Sequence, residues 1–347
     1  MAAKHRGKPA TAQDVADLAE TSRTAVSFVL NGKEDGNVSA ATRERILRAA
    51  AELNYSPHPG ARSLRTQRTH LIGVITDSIA SSPFAGQLLD GASQLARRHG
   101  FLVAVYDTGG HADRELEGAQ EFRRRRVDGL IYASMGLRQI SDVLAVGLPT
   151  VLANCFAPDT DLPSVIPAER EAGAAAAAVL LDHGHRAIAT INGDTAIAGP
   201  LRHEGFVGHL AEHDCVPEVQ SLGGRDWTID EGFRAATALL NRPPADRPTA
   251  IFCVTDRVAA GALLAATRLG LGIPDDVSIL GFDDQEELAA NLVPALTTFA
   301  LPHRQMGEAA VAMLIDQLAG VTLSSRPTLL PSPLVLRESV AAPPRRR

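Results

Sequence analysis

The sequence predicts a small all-α domain followed by a larger α/β domain that is built in two lobes. Apolar residues recur at helical spacing between residues 13 and 53. From residue 71 onward, short apolar runs alternate with helical stretches, which is the pattern of parallel strands joined by crossover helices. A Pro-, Gly- and Arg-rich segment at residues 56–70 separates the two patterns and reads as a linker. With 347 residues, the chain is long enough for two or three domains.

The charge is unevenly distributed between these parts. Residues 1–70 carry 11 Lys and Arg against 7 Asp and Glu, whereas the rest of the chain carries 23 against 33. A basic small domain on an acidic body is typical of a nucleic-acid-binding module attached to a part that does not bind nucleic acid.

The composition also indicates in which cellular compartment the protein is found. The amino terminus is basic but has no apolar core, so we expect no signal peptide. No apolar run approaches the roughly 20 residues of a membrane span. The three cysteines, Cys155, Cys215 and Cys253, are odd in number and widely spaced, which argues against a disulfide framework. We therefore expect a cytoplasmic protein with no membrane partner.

The first two helices are expected to form a tight pair. Ser22 is a good N-cap for a helix that begins at Arg23. The apolar positions predicted to face each other are Val15, Ala16, Ala19, Val26, Val29 and Leu30. The side chains left largely outward are Arg23, Thr24, Ala25, Ser27 and Phe28. Small and polar groups with one Arg suit a helix that enters a DNA major groove, although a helical hairpin in an ordinary core shows similar spacing.

A third helix is predicted over residues 42–53, capped by Ser39. The linker that follows could hold a short helix at residues 61–66. In the larger domain, strands are predicted at 71–75, 102–106, 129–133, 150–154, 187–191, 250–254 and 278–282. Helices are predicted at 84–98, 172–181, 202–213, 230–240 and 256–269. Two parallel sheets would bind ligands at the carboxyl ends of their strands.

Motifs of one known family recur along the chain. In the small domain and linker the matching positions are 14–16, 22–23, 26–27, 29–32, 38–39, 42–45, 53–55, 57 and 61–65. In the larger domain they are 71–75, 128–129, 184–186, 202, 205–206, 256, 260–262, 274–279, 281–284 and 294–298. On these positions, the chain from residue 11 to residue 337 resembles the lactose-repressor (LacI/GalR) family. The resemblance implies an all-α helix-turn-helix headpiece plus an α/β two-lobed periplasmic-binding-protein-like sensor domain.

The expected boundaries follow from this resemblance. The headpiece would span residues 1–56, the hinge 57–70 and the sensor 71–340. Lobe 1 would comprise about 71–165 and 297–325, and lobe 2 about 166–296 and 326–340. Residues 341–347 would be a disordered tail, without the apolar heptads of a tetramerising coiled coil.

The resemblance also implies the DNA contacts. Arg23 and Thr24 would reach base edges, whereas Ser22, Ser27 and Asn31 would contact or position the phosphate backbone. Leu64 of the hinge would insert between base pairs in the minor groove. The complete candidate set for DNA binding is Ser22, Arg23, Thr24, Ala25, Ser27, Phe28, Asn31, Tyr55, Arg62 and Leu64.

The headpiece departs from the family pattern at two positions. Phe28 stands where relatives usually carry Arg, and Phe cannot donate a hydrogen bond to a phosphate or a guanine. Glu20 stands where the turn usually holds Gly, which adds a negative charge close to DNA. Both features indicate an atypical operator.

The candidate effector-binding residues are Asp77, Phe84, Arg202, Trp227, Asp256 and Asp283. Arg202 offers a fixed fork of donors for hydroxyls or a carboxylate, and Asp283 would accept from hydroxyls. Trp227, the only tryptophan, would present its ring face to a sugar. The alternatives are a structural ion pair for Arg202 and Asp283 and a core aromatic for Trp227. Ala168 stands where many relatives carry an acidic residue, Thr255 where Asn is usual and Leu301 where a polar amide is common. These departures leave the effector open between a sugar, a nucleoside and another metabolite.

The function expected from these features is a DNA-binding transcriptional regulator, acting as a homodimer on a palindromic operator and controlled by a small-molecule effector. It would be no enzyme, and it would need no cofactor and no metal. Two alternatives stay open: a sugar-binding receptor without a gene-regulatory role, and a zinc-dependent hydrolase. The second rests on His209, Glu212 and His213, which match a short H-x-x-E-H pattern.

Overall fold

The computed structural model describes residues 10–30, 38–56, 68–78, 85–140, 147–193, 197–222, 227–285 and 287–344. The chain divides into two compact units, Met1–Thr69 and His70–Arg347. Within the described ranges, no helix has both the length and the apolar character needed to cross a membrane.

The first unit contains three helices, α1 (Ala12–Leu18), α2 (Arg23–Leu30) and α3 (Ala40–Glu52). The apolar faces predicted from helical spacing meet in a small core made of Val15, Ala16, Ala19, Val26, Val29, Ile46, Ala49 and Ala50. The third helix begins at Ala40, two residues before the predicted start at residue 42.

Hydroxyl side chains fix where these helices begin. Ser22 Oγ accepts a hydrogen bond of 3.1 Å from the backbone N–H of Ala25, and Ser39 Oγ accepts one of 3.2 Å from Thr42. The N-cap predicted at Ser22 is therefore present. Thr11 and Asp14 form a reciprocal capping box at the start of α1, a signal that the sequence analysis did not use.

The turn between α1 and α2 explains why a glycine is usual at position 20. Glu20 has φ +48°, and the N–H of Thr21 returns to the carbonyl of Ala16 at 2.9 Å. Helices commonly end with one residue in the left-handed conformation, followed by a backbone hydrogen bond that returns to the last turn. A β-carbon is unfavourable in that conformation. Glu20 therefore stores backbone strain at the joint that orients α2 against α1.

Replacing Glu20 with glycine is expected to stabilise the first unit by about 1 kcal/mol, since relief of strain exceeds the added freedom of the unfolded chain. Amide hydrogen exchange on the intact chain should become about fivefold slower in α1 and α2. Glu20→Ala, which removes the charge but keeps the β-carbon, is the matched control. Equal protection in both variants would mean that charge, and not backbone conformation, governs the turn.

The second unit contains two six-stranded sheets. Their strands are β1 (Leu71–Thr76), β2 (Leu102–Asp107), β3 (Gly129–Gln139), β4 (Thr150–Phe156), β5 (Ser164–Pro167), β6 (Ile188–Asn192), β7 (Glu218–Ser221), β8 (Ala250–Cys253), β9 (Ser278–Asp283), β10 (Thr297–Ala300), β11 (Thr328–Leu330) and β12 (Leu334–Val335). The first sheet has the order β11-β5-β4-β3-β1-β2, and the second has the order β12-β10-β9-β8-β6-β7. All neighbouring strands are parallel except β10 and β12.

Helices cover both sheets and bury their apolar faces in separate cores. They are α4 (Ala85–Arg98), α5 (Ala112–Arg124), α6 (Glu169–Asp182), α7 (Ala198–Ala211), α8 (Ile229–Leu240), α9 (Asp256–Arg268) and α10 (His303–Leu318). All seven strands predicted from apolar runs are present to within one or two residues, except that β3 extends further. The two helices not predicted are α5, which is strongly polar, and α10.

The chain crosses between the lobes at places other than those expected. Thr297–Ala300 pairs with β9 of the second sheet, so the strand assigned to lobe 1 belongs to lobe 2. Thr328–Leu330 pairs with β5 of the first sheet, so it belongs to lobe 1 and not to lobe 2. The first crossing follows Pro167, the end of β5, rather than residue 165. β5, β10 and β11 have only three or four residues each, which is too short for a periodic signal in the sequence.

The segment after residue 340 is also ordered further than predicted. The carbonyl of Ala341 accepts hydrogen bonds from His185 Nε2 at 2.8 Å and from Ser278 Oγ at 3.2 Å. Burial lowers the pKa of His185, whereas the hydrogen bond to the Ala341 carbonyl acts in the opposite direction. The prediction of a disordered tail is therefore wrong for residues 341–344, and residues 345–347 lie outside the described part.

Candidate functional site

A cleft of about 350 Å³ opens where the strands of both sheets end. From the first lobe it is lined by Ser78, Met135, Gly136, Leu137 and Asn154, and from the second by Glu169, Ala198, Arg202, Trp227, Thr255, Arg257, Asp283, Leu301 and His303. The carboxyl ends of parallel strands are where open α/β sheets bind ligands, so the position agrees with the expected effector site.

Arg202 lies at the centre of the charged groups in this cleft. Its Nε and Nη2 donate to the two carboxylate oxygens of Glu169 at 2.5 and 3.0 Å. Its Nη1 donates to the carbonyl of Val254 at 2.8 Å and approaches Asp283 Oδ1 at 3.5 Å. The guanidinium carbon lies 3.7 Å from the ring centre of Phe282. Four of the five N–H groups of a guanidinium are thus occupied, leaving one on Nη2 for a ligand.

Burial makes this network electrostatically strong. The side chains of Arg202 and Glu169 are only 3% and 2% exposed. Burial raises the pKa of Asp283 well above its usual range, although the nearby Arg202 acts in the opposite direction. Burial, reinforced by the charge of Arg202, lowers the pKa of His303 to about 4, so this imidazole is neutral at pH 7. This network therefore presents to the cleft the cation of Arg202, the carboxylate of Glu169 paired with it, the carboxyl group of Asp283 and the neutral ring of His303.

Close helix packing brings Glu169 to Arg202. A β-carbon on Gly173 would lie 2.0 Å from the carbonyl oxygen of Arg202, and one on Gly205 would lie 1.9 Å from that of Arg170. Only glycine permits this approach, which holds α6 and α7 backbone to backbone. Because Glu169 opens α6 and Arg202 lies near the start of α7, their side chains meet at the cleft.

Trp227 lines the same cleft from the loop before α8. A β-carbon on Gly193 would lie 2.0 Å from its Nε1, so the indole packs tightly over this glycine. The indole N–H is buried and has no hydrogen-bond partner among the residues that the structure describes. One edge of Trp227 packs against the core of the second lobe, while the residue still borders the cleft.

Two of the predicted effector residues act from behind the cleft. Asp77 accepts hydrogen bonds from Ser134 Oγ at 2.8 Å and from the N–H of Met135 at 3.0 Å, and thereby fixes the middle of β3, where its register with β4 shifts. Asp256 accepts from Thr298 Oγ1 at 2.6 Å and from the N–H of Gln285 at 2.7 Å. Burial raises the pKa of Asp256 to about 7. Neither side chain is among the described residues that line the cleft, and both hold parts of its walls in place through these hydrogen bonds. Phe84 lies outside the described residues.

Sequence reasoning missed several residues that line the cleft. Glu169 follows Ala168, the position noted for lacking an acidic group, so the carboxylate comes from the next residue. His303 begins α10, which was not predicted. Arg257 makes no hydrogen bond or ion pair with the described residues, although its charge lowers the pKa of Asp283. The sequence offered one signal that Arg257 lies at the cleft, which was its position directly after the candidate site residue Asp256.

In the first unit, the predicted DNA-contacting residues occupy one end of α2. Ser22, Arg23 and Thr24 are exposed, and Ala25, Ser27 and Phe28 are half-buried. Tyr55 packs partly against the headpiece core, so its ring also supports the fold. Asn31, Arg62 and Leu64 lie outside the described residues.

The structure also brings His209, Glu212 and His213 together. One ligand atom from each lies within 4.8 Å of the others at the carboxyl-terminal end of α7. None of the three lines the cleft.

A three-helix headpiece followed in the sequence by a two-lobed unit with a polar cleft defines the class of ligand-responsive transcriptional regulators. Family models match both parts: "Bacterial regulatory proteins, lacI family" at residues 11–58, and "Periplasmic binding protein-like domain" at residues 177–340.

Similar proteins cover nearly the whole chain. The ribose operon repressor of Haemophilus influenzae is 32% identical over 333 residues, which are 95% of this chain and 98% of that protein. The HTH-type transcriptional repressor CytR of Escherichia coli K12 is 34% identical over 351 residues, which are 99% and 100% of the two chains. The lac repressor dimer bound to operator and an anti-inducer superposes with a TM-score of 0.79 at 29% identity, covering 96% of this chain and 100% of that one.

The chain belongs to the LacI family of bacterial regulatory proteins. The resemblance inferred from the sequence, the predicted fold class and the predicted function as a DNA-binding transcriptional regulator are thus confirmed.

Proposed function

We propose that the protein is a repressor that binds a pseudo-palindromic operator as a homodimer and responds to a small polar metabolite in the cleft of its second unit. The observation that carries this proposal is the cleft at the carboxyl ends of both sheets, with buried charged groups and Trp227 in its wall. A two-fold dimer would place two copies of α2 on two half-sites. The lac repressor structure, described as a dimer bound to operator, supports this arrangement.

In this proposal, Arg23 and Thr24 contact bases and Ser22 and Ser27 contact phosphates. Arg23 and Thr24 are exposed in the first turn of α2, which is the end of a recognition helix that reaches base edges. Phe28 is half-buried and one turn further along, so it would meet the duplex through apolar contact.

The effector is a sugar or a related metabolite with several hydroxyl groups. A volume of about 350 Å³ suits a ligand of this size. The unpaired indole N–H of Trp227, the remaining N–H of Arg202 and the free guanidinium of Arg257 supply donors. Oxygen-rich ligands satisfy such donors. The name of the ribose operon repressor among the relatives agrees with this class of ligand.

The protein would act by binding and not by catalysis, in the cytoplasm, where its operator DNA is found. Effector binding would change the angle between the lobes and so the affinity for the operator. A coupling of about 1–3 kcal/mol corresponds to a change of roughly 5- to 150-fold in that affinity.

Trp227 provides a direct test, because it is the only tryptophan in the chain. Titration with pentoses, hexoses and nucleosides should give a saturable change in intrinsic fluorescence with the true effector class. Trp227→Ala is expected to abolish the effect of that ligand on operator binding while leaving operator binding intact.

Trp227→Phe, which keeps an aromatic ring but loses the N–H, is the matched control and should retain a weakened response. An unchanged response in Trp227→Ala, measured by operator release, would remove this residue from the site.

A further inference from the structure

We propose that His209, Glu212 and His213 form a surface site for a divalent transition-metal ion, with Zn²⁺ as its characteristic occupant. The three residues lie at the carboxyl-terminal end of α7, apart from the effector cleft. Two imidazoles and one carboxylate are a donor set that Zn²⁺ favours, whereas Mg²⁺ and Ca²⁺ prefer oxygen ligands alone.

The geometry already approaches that of a bound ion. His209 and His213 are one helical turn apart, and their ring centres are separated by 4.7 Å. His209 Nδ1 lies 3.6 Å from Glu212 Oε2. Ligand atoms around tetrahedral zinc lie about 3.3 Å apart, so closing the set from a maximum of 4.8 Å needs only small side-chain rotations. Glu212 is 74% exposed and is free to make them.

A hydrogen bond orients one of the ligands in advance. His213 Nδ1 lies 2.9 Å from the carbonyl oxygen of His209 and donates its hydrogen there. The proton is thereby placed on Nδ1, which leaves the Nε2 lone pair free to coordinate. Metal-binding histidines commonly donate their second ring nitrogen to a carbonyl or carboxylate in this way.

The position on the helix favours a cation. α7 ends at Ala211, and Glu212 caps it, so the site lies at the negative end of the helix dipole. A bound ion would therefore be stabilised both by its ligands and by the helix end.

A nearby cysteine does not belong to the site. Cys215 is buried, and its Sγ donates to the carbonyl of Arg186 at 3.3 Å. The proposed site thus has three protein ligands, with the remaining position open to water.

Calorimetric titration of ZnCl₂ into the intact, tag-free chain tests the proposal. We expect one saturable ion per chain and a rise in Tm with zinc concentration. His209→Asn and His213→Asn should each weaken binding at least about tenfold, and the double variant should abolish it. His99→Asn, which changes another exposed histidine, should bind as the parent does.

The thermal midpoint in metal-free buffer separates loss of a ligand from loss of fold, because both substituted histidines lie near the surface and the variants should melt as the parent does. Co²⁺ should give a visible spectrum without a thiolate charge-transfer band. Absence of saturable zinc binding, or equal affinity in the double variant, would overturn the proposal. Loss of binding in Cys215→Ser would also contradict the ligand set.

Discussion

Replacing Arg202 with methionine is expected to lower the free energy of unfolding of the second unit by about 3–5 kcal/mol. The guanidinium neutralises Glu169 and lies beside Asp283, and all three side chains are at least nine-tenths buried. Methionine keeps a similar length but leaves both carboxylates without their cation. Urea unfolding followed by Trp227 fluorescence measures the loss, since the only tryptophan lies in this unit.

The loss of stability caused by Arg202→Met should depend on pH, and the direction of this dependence follows from the pKa of Asp283. Burial already raises the pKa of Asp283, and Arg202 opposes that rise. Without Arg202 this pKa rises further, so the folded variant binds more protons than the unfolded chain. Stability then falls as the pH rises, and the difference from the parent should shrink as the pH is lowered.

Two further variants distinguish buried charge from lost contact. Arg170→Met removes the cation of an exposed pair with Glu204 on the same two helices and should leave stability nearly unchanged. Adding Glu169→Leu to Arg202→Met should recover part of the loss, because it removes one unpaired buried charge. If the double variant were less stable by the sum of both single losses, the charge-based explanation would be wrong.

Replacing Arg23 with alanine is expected to weaken binding to the operator by about 1–3 kcal/mol, or roughly 5- to 150-fold. Arg23 is exposed in the first turn of α2, where a guanidinium can form two hydrogen bonds to one guanine. Competition binding with specific and random duplexes at fixed salt should show a larger loss on the specific one. The measurement separates base recognition from attraction to phosphate.

Salt dependence supplies the control for this prediction. If Arg23 contacts a base, the slope of log affinity against log salt should be nearly the same in the variant as in the parent. If it contacts phosphate, the slope should become smaller by about one, and both duplexes should lose affinity alike. The second pattern would contradict the proposed role of Arg23.

The elements that the sequence predicted well are those with long or strongly apolar patterns. The helices of the headpiece show 3.6-residue periodicity, and β1, β4, β6, β8 and β9 are buried runs between helical stretches. Where a strand has only two to four residues, as β10, β11 and β12 do, pairing across the sheet creates it. That information is not local, so the lobe crossings were misplaced.

The effector site was predicted in outline but not in its contacts. Arg202, Trp227 and Asp283 do line the cleft. The sequence could not show that Glu169 occupies two of the five donors of Arg202, because that pairing depends on the close approach of α6 and α7 at Gly173 and Gly205. Asp256 and Asp77 carry the expected residue types, yet their oxygens are used by the protein itself.

Selection of bound fragments from a random duplex pool, with and without the ligand that alters Trp227 fluorescence, tests the central claim most directly. The intact protein at near-physiological salt should enrich a pseudo-palindrome with two half-sites, and the ligand should change that enrichment. An enriched sequence without two-fold symmetry, or no enrichment in either condition, would contradict a dimeric, ligand-controlled operator-binding protein.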